Sequence, residues 1–449
     1  MRMVYKTGNM PALPRLNRVA ALTLGCKVNF YDTEAMLELF LNKGYEIVPF
    51  ESEADIYIIN TCTVTNMGDK KSRRMIRRAA RRGALVIVAG CYAQINPEAV
   101  REISGVNLVL GTKDRDRVVE LAEAYTEDMG ARAYVRDARL DYEIELRDVS
   151  RFYTDSRTRA FLKIQDGCDR FCSYCVIPYA RGSVRSRRPA DVLNEAERMA
   201  ANGYKEIVVT GIHVASYGKD LKNTSLAEIL PSLNDIRGIE RIRLSSIDPA
   251  AVTADFVNVL RALPKICDHF HLSLQSGSDS VLRRMNRRYT TESYMESVRL
   301  LRSAFPGASL TTDIIAGFPG ETDAEFEQTR ILAEHIGFAK IHVFPFSPKK
   351  GTIAADMPGQ VNAAVKSERS RVLQSLSEHS SQAFMRSLIG GDLFVLFERL
   401  CGSEIYEGHA ANYIKTRAGS ASCIINQIRA IHVECVQTDY VFGTILPNS

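Results

Sequence analysis

Cys168, Cys172 and Cys175 stand at the spacing C-x3-C-x2-C inside GCDRFCSYC, and the next cysteine is Cys267. An iron–sulfur cube with every iron bound by protein takes four thiolates. A structural zinc site also wants a closed set of four ligands, and no His or Cys stands close behind Cys175 to complete one. A cube with one iron left open fits three thiolates better, because an open iron can bind a small chelating molecule. S-adenosylmethionine offers an amino and a carboxylate group for that purpose, and its pairing with an iron–sulfur cluster is a source of radical chemistry.

A second set of three is spread along the first hundred residues. Cys26, Cys62 and Cys91 are 36 and 29 residues apart, about one βαβ unit each. Each follows the end of an apolar run that reads as a buried strand: 18–24, 55–60 and 84–90, with a fourth at 107–111. Helices are expected near 32–42, over 70–82 and from about 97. This alternation predicts a doubly wound α/β domain with a parallel sheet. In such a sheet the carboxyl ends of neighbouring strands line one crevice, so three thiols remote in sequence should converge. Free cysteine is often a small core residue, which accounts for one such placement more easily than for three in register.

The alternation resumes from Thr158. Strands are expected at 160–165, 206–211, 241–246, 269–275, 308–317 and 339–346, with helices at 189–201, 292–303 and 323–336 among those between them. Six βα units predict a partial (β/α)6 barrel, whose chemistry belongs at the C-terminal strand ends. GCDRFCSYC follows the first of these strands directly. After a helix near 360–388, short strands at 392–400, 407–418, 429–437 and 440–446 predict a small antiparallel β-barrel. The expected domains are 17–128, a connector 129–153, the partial barrel 154–386 and the terminal barrel 387–446. Cys267, Cys401, Cys423 and Cys435 lack metal spacing and are read as structural.

Basic residues are concentrated rather than abundant: the chain of 449 residues has a formal charge of only +5. Between Lys70 and Arg82 eight of thirteen residues are basic and none is acidic. At 100° per residue, Lys70, Lys71, Arg73, Arg74, Arg77, Arg78, Arg81 and Arg82 share one half of a helix, and Met75, Ile76, Ala79 and Ala80 the other. A solvated helix face usually mixes signs for i, i+4 pairing, so this face is expected to bind phosphates. Arg185, Arg187 and Arg188, with Arg181, form a second basic run, and Arg283, Arg284, Arg287 and Arg288 a third. Residues 385–449 carry five Lys/Arg against six Asp/Glu, so Asn412, Tyr413, Lys415 and Arg417 are expected to touch RNA only locally. The apolar run 19–25 is too short for a convincing secretion signal, and no stretch is long enough to cross a membrane. The expected location is the cytoplasm, where many cysteines point to metal rather than disulfides.

These residues resemble the radical S-adenosylmethionine superfamily through Cys168, Cys172, Cys175 and the aromatic Tyr174. With Cys26, Cys62 and Cys91 they resemble its methylthiotransferases, which carry a second cluster. LGCKVNFYDTEAM (24–36), NTCTVTNMGDKKSRRMIRRA (60–79), CSYCVIPYARG (172–182) and TGIHVASYGKD (210–220) look most like the bacterial enzymes acting on N6-threonylcarbamoyladenosine (t6A) in tRNA. The resemblance implies two [4Fe-4S] clusters, one on each triad, with all six cysteines catalytic and metal-binding. It implies S-adenosylmethionine near Tyr174, Gly211, Ile212, His213, Ser245, Ser246, Gln275, Asp313 and Gly317. It further implies methylthiolation at C2 of t6A in the tRNA anticodon loop, an electron donor of flavodoxin or ferredoxin type, and an RNA-binding terminal barrel of TRAM type. A monomer and no membrane association are expected. Isopentenyladenosine in tRNA, a ribosomal protein, or a non-catalytic zinc-containing RNA-binding role are the competing readings.

Overall fold

The computed structural model describes residues 18–139, 149 and 158–447. Residues Ile56–Thr61 and Leu85–Gly90 are buried along their whole length, as expected of central strands covered on both faces. Their side chains alternate between two cores. Ile56, Ile58, Leu85 and Ile87 pack on one face, and Tyr57, Ile59, Val86 and Val88 on the other. The sheet is wholly parallel, in the spatial order Glu46–Val48, Arg18–Thr23, Ile56–Thr61, Leu85–Gly90, Leu108–Leu110, Arg132–Tyr134. The two edge strands, three residues each, are too short to show a period. Arg132–Tyr134 lies inside the segment expected to be a connector, which therefore begins as part of this sheet. Connector positions 140–148 and 150–153, and the predicted boundaries at 17 and 154, lie outside the described residues.

The central wall has six parallel strands. Arg159–Lys163, Glu206–Thr210 and Arg241–Leu244 form one group, and His269–His271, Ser309–Ala316 and Lys340–Pro345 another. Single bridges, Ile242 to Ile266 and Ile247 to Leu272, join the two. The fold is therefore α/β with the expected six-stranded partial barrel, and helices Pro189–Ala201 and Asp323–Ile336 fall where the pattern put them. A short antiparallel pair, Gln165–Asp166 with Arg185–Ser186, closes the base of the cysteine loop.

The C-terminal strands form a closed five-stranded barrel. The run expected as one strand over 407–418 is two, Ile405–Ala410 and Lys415–Gly419, and the pair Lys415–Gly419 with Val441–Ile445 is parallel. The break falls at Tyr413, whose φ is +66°. That turn caps the floor of the central barrel, where its strands begin. Arg243 donates to the Ala411 and Ala410 carbonyls (2.8 and 3.3 Å) and Ser309 to the Asn412 carbonyl (2.5 Å). Tyr413 lies against His269 and His409, and the guanidinium groups of Arg159 and Arg243 sit 5.1 and 4.6 Å from its ring centre. Asn412 is thus buried on an arginine-rich floor, and Tyr413, stacked there, remains partly exposed. Among the described residues no helix is long and apolar enough to cross a membrane.

Candidate active site

Glycine precedes three of the six cysteines. Gly25, Gly90 and Gly167 all have φ between +73° and +106°, a region that costs other residues a Cβ clash. A Cβ on Gly25 would lie 2.9 Å from the Cys62 sulfur, and one on Gly90 would lie 2.2 Å from Asn60 Oδ1. These turns take the chain from strand into helix so that Cys26 caps Lys27–Asn42 and Cys91 opens Cys91–Ile95. The repeated Gly-Cys pair was legible in the sequence and marks these positions more sharply than strand ends alone.

The first triad converges. Cys91 and Cys26 both act electrostatically on Cys62, whose thiol burial pushes up to about 12. Burial likewise raises Cys91. In the second triad, burial raises Cys168 and pushes Cys175 up to about 12, and the charges of Cys168 and Cys172 reach Cys175. Binding metal would displace those protons. Among the described residues no three His, Cys, Asp or Glu side chains close on the point a single ion would occupy. All six triad cysteines are free and only Cys26 is exposed, and thiolates are the donors that an iron–sulfur cube takes.

The Cys168–Cys175 loop is tied down from several sides. Cys168 N–H donates to the Gly182 carbonyl (3.0 Å), Ser173 N–H to Met285 (3.1 Å) and Ser173 Oγ to Arg284 (2.8 Å). Arg287 places Nη1 3.4 Å from Cys172 Sγ. Tyr174 packs against Phe318 at 6.4 Å between ring centres.

Arg181, counted by sequence with the second basic run, lies in a group of buried charges between the two cysteine-bearing segments. Arg181, with no exposed surface, ends helix Ile177–Arg181, which packs on Cys91–Ile95. It donates to Asn29 Oδ1 (2.5 Å), to Asp32 (3.0 Å) and to both oxygens of Asp166 (2.9 Å each). Lys163 bridges Asp32 and Asp166 at 2.7 Å each, and Arg115 pairs with Asp32 at 2.5 Å. Burial alone would raise the Asp32 carboxyl, but Arg115, Lys163 and Arg181 outweigh it and hold it well below the usual range. A separate latch holds the Cys62 loop: Lys349 Nζ reaches Thr63 Oγ1 (3.0 Å) and Asp69 Oδ2 (2.6 Å).

Of the residues expected near S-adenosylmethionine, Gly211, Ile212 and His213 follow strand Glu206–Thr210, Ser245 and Ser246 follow Arg241–Leu244, Gly317 follows Ser309–Ala316, and Asp313 lies within that strand. His213 Nε2 is 3.0 Å from Asp248 Oδ2, and its Nδ1 is 2.7 Å from Ser216 Oγ. Ser245 Oγ is buried with no hydrogen-bond partner in the protein, a group that a bound ligand could satisfy, while Ser246 is exposed and Ile212 half-buried. Gln275 has φ +66°, and Asp313 pairs with His271 at 3.2 Å. The absent side chains of Gly211 and Gly317 make room for Gln165 and Lys366, 2.7 and 2.3 Å from where their Cβ atoms would lie.

The basic helix is Asn66–Ala80, starting four residues before the expected position and capped by Thr65, and it buries Ser72, Met75, Ile76 and Ala79. Arg78 pairs with Glu51 and Arg73 donates to Tyr92 (3.0 Å). Lys70, Lys71, Arg74, Arg77 and Arg81 are exposed, and among the described residues none has a carboxylate partner. The second basic run is not a surface: Arg185 and Arg187 are buried, Arg187 against Glu195 and Arg185 donating to the Arg181 carbonyl (2.7 Å). Only Arg188 of that run is exposed, paired with Asp191 at 2.8 Å. In the third run Arg284 pairs with Glu325. Lys415 and Arg417 are answered by Asp439 and Glu407. Cys267 is buried as expected, whereas Cys401 and Cys423 are exposed.

Replacing Arg74, Arg77 and Arg81 together by Ala is expected to weaken tRNA binding about ten- to hundred-fold near 0.1 M salt. The log–log salt slope should flatten by about 2 to 3, since each lost phosphate contact removes roughly 0.7–0.9. Filter binding across a salt series measures both, and an unchanged slope places the RNA elsewhere.

Residues 162–333 match the Radical SAM superfamily, and residues 18–111 match Uncharacterized protein family UPF0004. The chain is 42% identical, over 95% of both chains, to the threonylcarbamoyladenosine tRNA methylthiotransferase MtaB of Bacillus subtilis (strain 168). It is 38% identical to the tRNA-2-methylthio-N(6)-dimethylallyladenosine synthase of Thermoanaerobacter sp. (strain X514), over 84% of this chain and 81% of that one. Among solved structures, the radical S-adenosylmethionine methyltransferase TsrM of Kitasatospora setae shares the fold, with TM-score 0.55, 17% identity and 73% of each chain covered.

Proposed function

The chain belongs to the radical S-adenosylmethionine tRNA methylthiotransferases, and from that membership we propose that it places a methylthio group on C2 of t6A at position 37 of tRNA. The observation that carries this substrate is that the B. subtilis t6A enzyme matches at higher identity and over more of both chains than the dimethylallyladenosine synthase does.

Cys168, Cys172 and Cys175 would hold one cube and Cys26, Cys62 and Cys91 the second. When bound, the cubes and S-adenosylmethionine would supply reductive cleavage to a radical that takes hydrogen from C2, and an open iron for the sulfur to be delivered. The protein's own part is positioning. Arg287 keeps a donor on Cys172, and the Ser245 hydroxyl, with His213 held by Asp248 and Ser216, offers polar groups at the strand ends. The free cations of Asn66–Ala80 lie just beyond Cys62, so phosphates held there keep the anticodon loop at the mouth. Reaching C2 requires the base out of its stack, which is cheapest in a loop. A flavodoxin- or ferredoxin-type donor, a cytoplasmic location and a monomeric state complete the proposal.

Nucleoside mass spectrometry of tRNA from a strain lacking this gene tests it. The expected result is loss of 2-methylthio-t6A with t6A retained. Loss of the methylthio form of isopentenyladenosine instead would overturn the assignment, and zinc without iron in the purified protein would remove the enzyme reading altogether.

A further inference from the structure

We infer that Arg181 is a positioning residue that sets the charge, and hence the reduction potential, of the cluster on Cys26, Cys62 and Cys91. The inference rests on the proposed second cluster site. Arg181 belongs by sequence to the Cys168–Cys175 motif, yet its guanidinium sits among groups of the N-terminal domain. Its Nη2 lies 2.5 Å from Asn29 Oδ1, and Asn29 Oδ1 is itself 4.0 Å from Cys91 Sγ. The Arg181 charge reaches Cys91, Cys26 and Cys62. Its Nε, fully buried, has no partner within the protein. Asn29 is fixed in turn by donating to the Leu24 and Thr61 carbonyls (2.8 and 2.9 Å), which flank Cys26 and Cys62.

The charge balance points the same way. In the group Asp32, Asp166, Arg115, Lys163 and Arg181, three cations oppose two carboxylates. Such an excess, out of reach of water, acts at low effective dielectric. It favours the more negative, reduced state of a thiolate-bound cube, and nearby charge and hydrogen bonds to sulfur are levers on cluster potential. The second triad has its own cation, Arg287 on Cys172, so each cysteine set is served by one buried or half-buried arginine.

The test uses the full chain carrying C168A, C172A and C175A, which leaves only the first triad, reconstituted anaerobically with iron and sulfide. Midpoint potentials are read by EPR-monitored reductive titration. Arg181→Gln should lower the potential, Arg181→Lys should restore much of it by keeping the charge, and Asp32→Asn should raise it. Opposite shifts in the Gln and Asn variants are a signature that a merely structural role would not give. If Arg181→Gln fails to fold or to hold iron, Asp32→Asn decides alone: an unmoved or lowered potential overturns the inference. A parent variant that takes up no iron–sulfur cluster overturns the site reading and this inference with it. A cluster present with an unmoved potential overturns the inference only.

Discussion

Replacing Cys168, Cys172 or Cys175 by Ala is expected to reduce methylthiolation and S-adenosylmethionine cleavage to background, and to halve bound iron from about eight to about four per chain, the content of two four-iron cubes against one. The argument is coordination. Three thiolates would leave one corner of a cube unligated, and loss of a further ligand would expose a second iron. The loop holds no further thiol, and the hydroxyl of its one serine, Ser173 Oγ, is committed to the Arg284 carbonyl. Iron and sulfide analysis, with chromatographic assay of 5′-deoxyadenosine, checks both parts. Wild-type levels of 5′-deoxyadenosine in any of the three variants would remove this triad from the chemistry.

Replacing Cys62 by Ala is expected to give a different defect. The product should vanish while 5′-deoxyadenosine continues to form, and iron should again fall to about four. Cys62 sits on the N-terminal sheet, held by Lys349 through Thr63 and Asp69, whereas the other triad is held by the barrel loop and Arg287. The two sets share no ligand, so the functions should separate. Mass spectrometry of tRNA nucleosides and the same chromatographic assay, run on one reaction, decide the matter. Simultaneous loss of both products would mean that the triads act as one unit.

The strand alternation and the three-part order of the chain could be read from the sequence because each depends on local pattern, apolar period above all. Burial of charge could not. RGSVRSRR reads as a cationic run, yet Arg181 is answered by Asp32, 149 residues away, and Arg187 by Glu195 on a helix that follows. Pairing of this kind depends on tertiary contact, and the basic run by itself does not reveal it. The same limit hid the roles of Asn29 and Asp32, about one and two helical turns past Cys26, although their i, i+3 spacing on one face was there to see. Short edge strands and the turn at Tyr413 were missed for the opposite reason: they are held by neighbours rather than by any period of their own.

The turn that seats the terminal barrel beneath the central one has a consequence for substrate length. Strand Ser309–Ala316 has eight residues, so floor and mouth stand roughly 25 Å apart at about 3.3 Å per residue. A grip by the terminal barrel at that turn would fall that far from the strand ends at the mouth. It is leverage applied at a distance, and a hairpin cut short of that reach would be modified without its help.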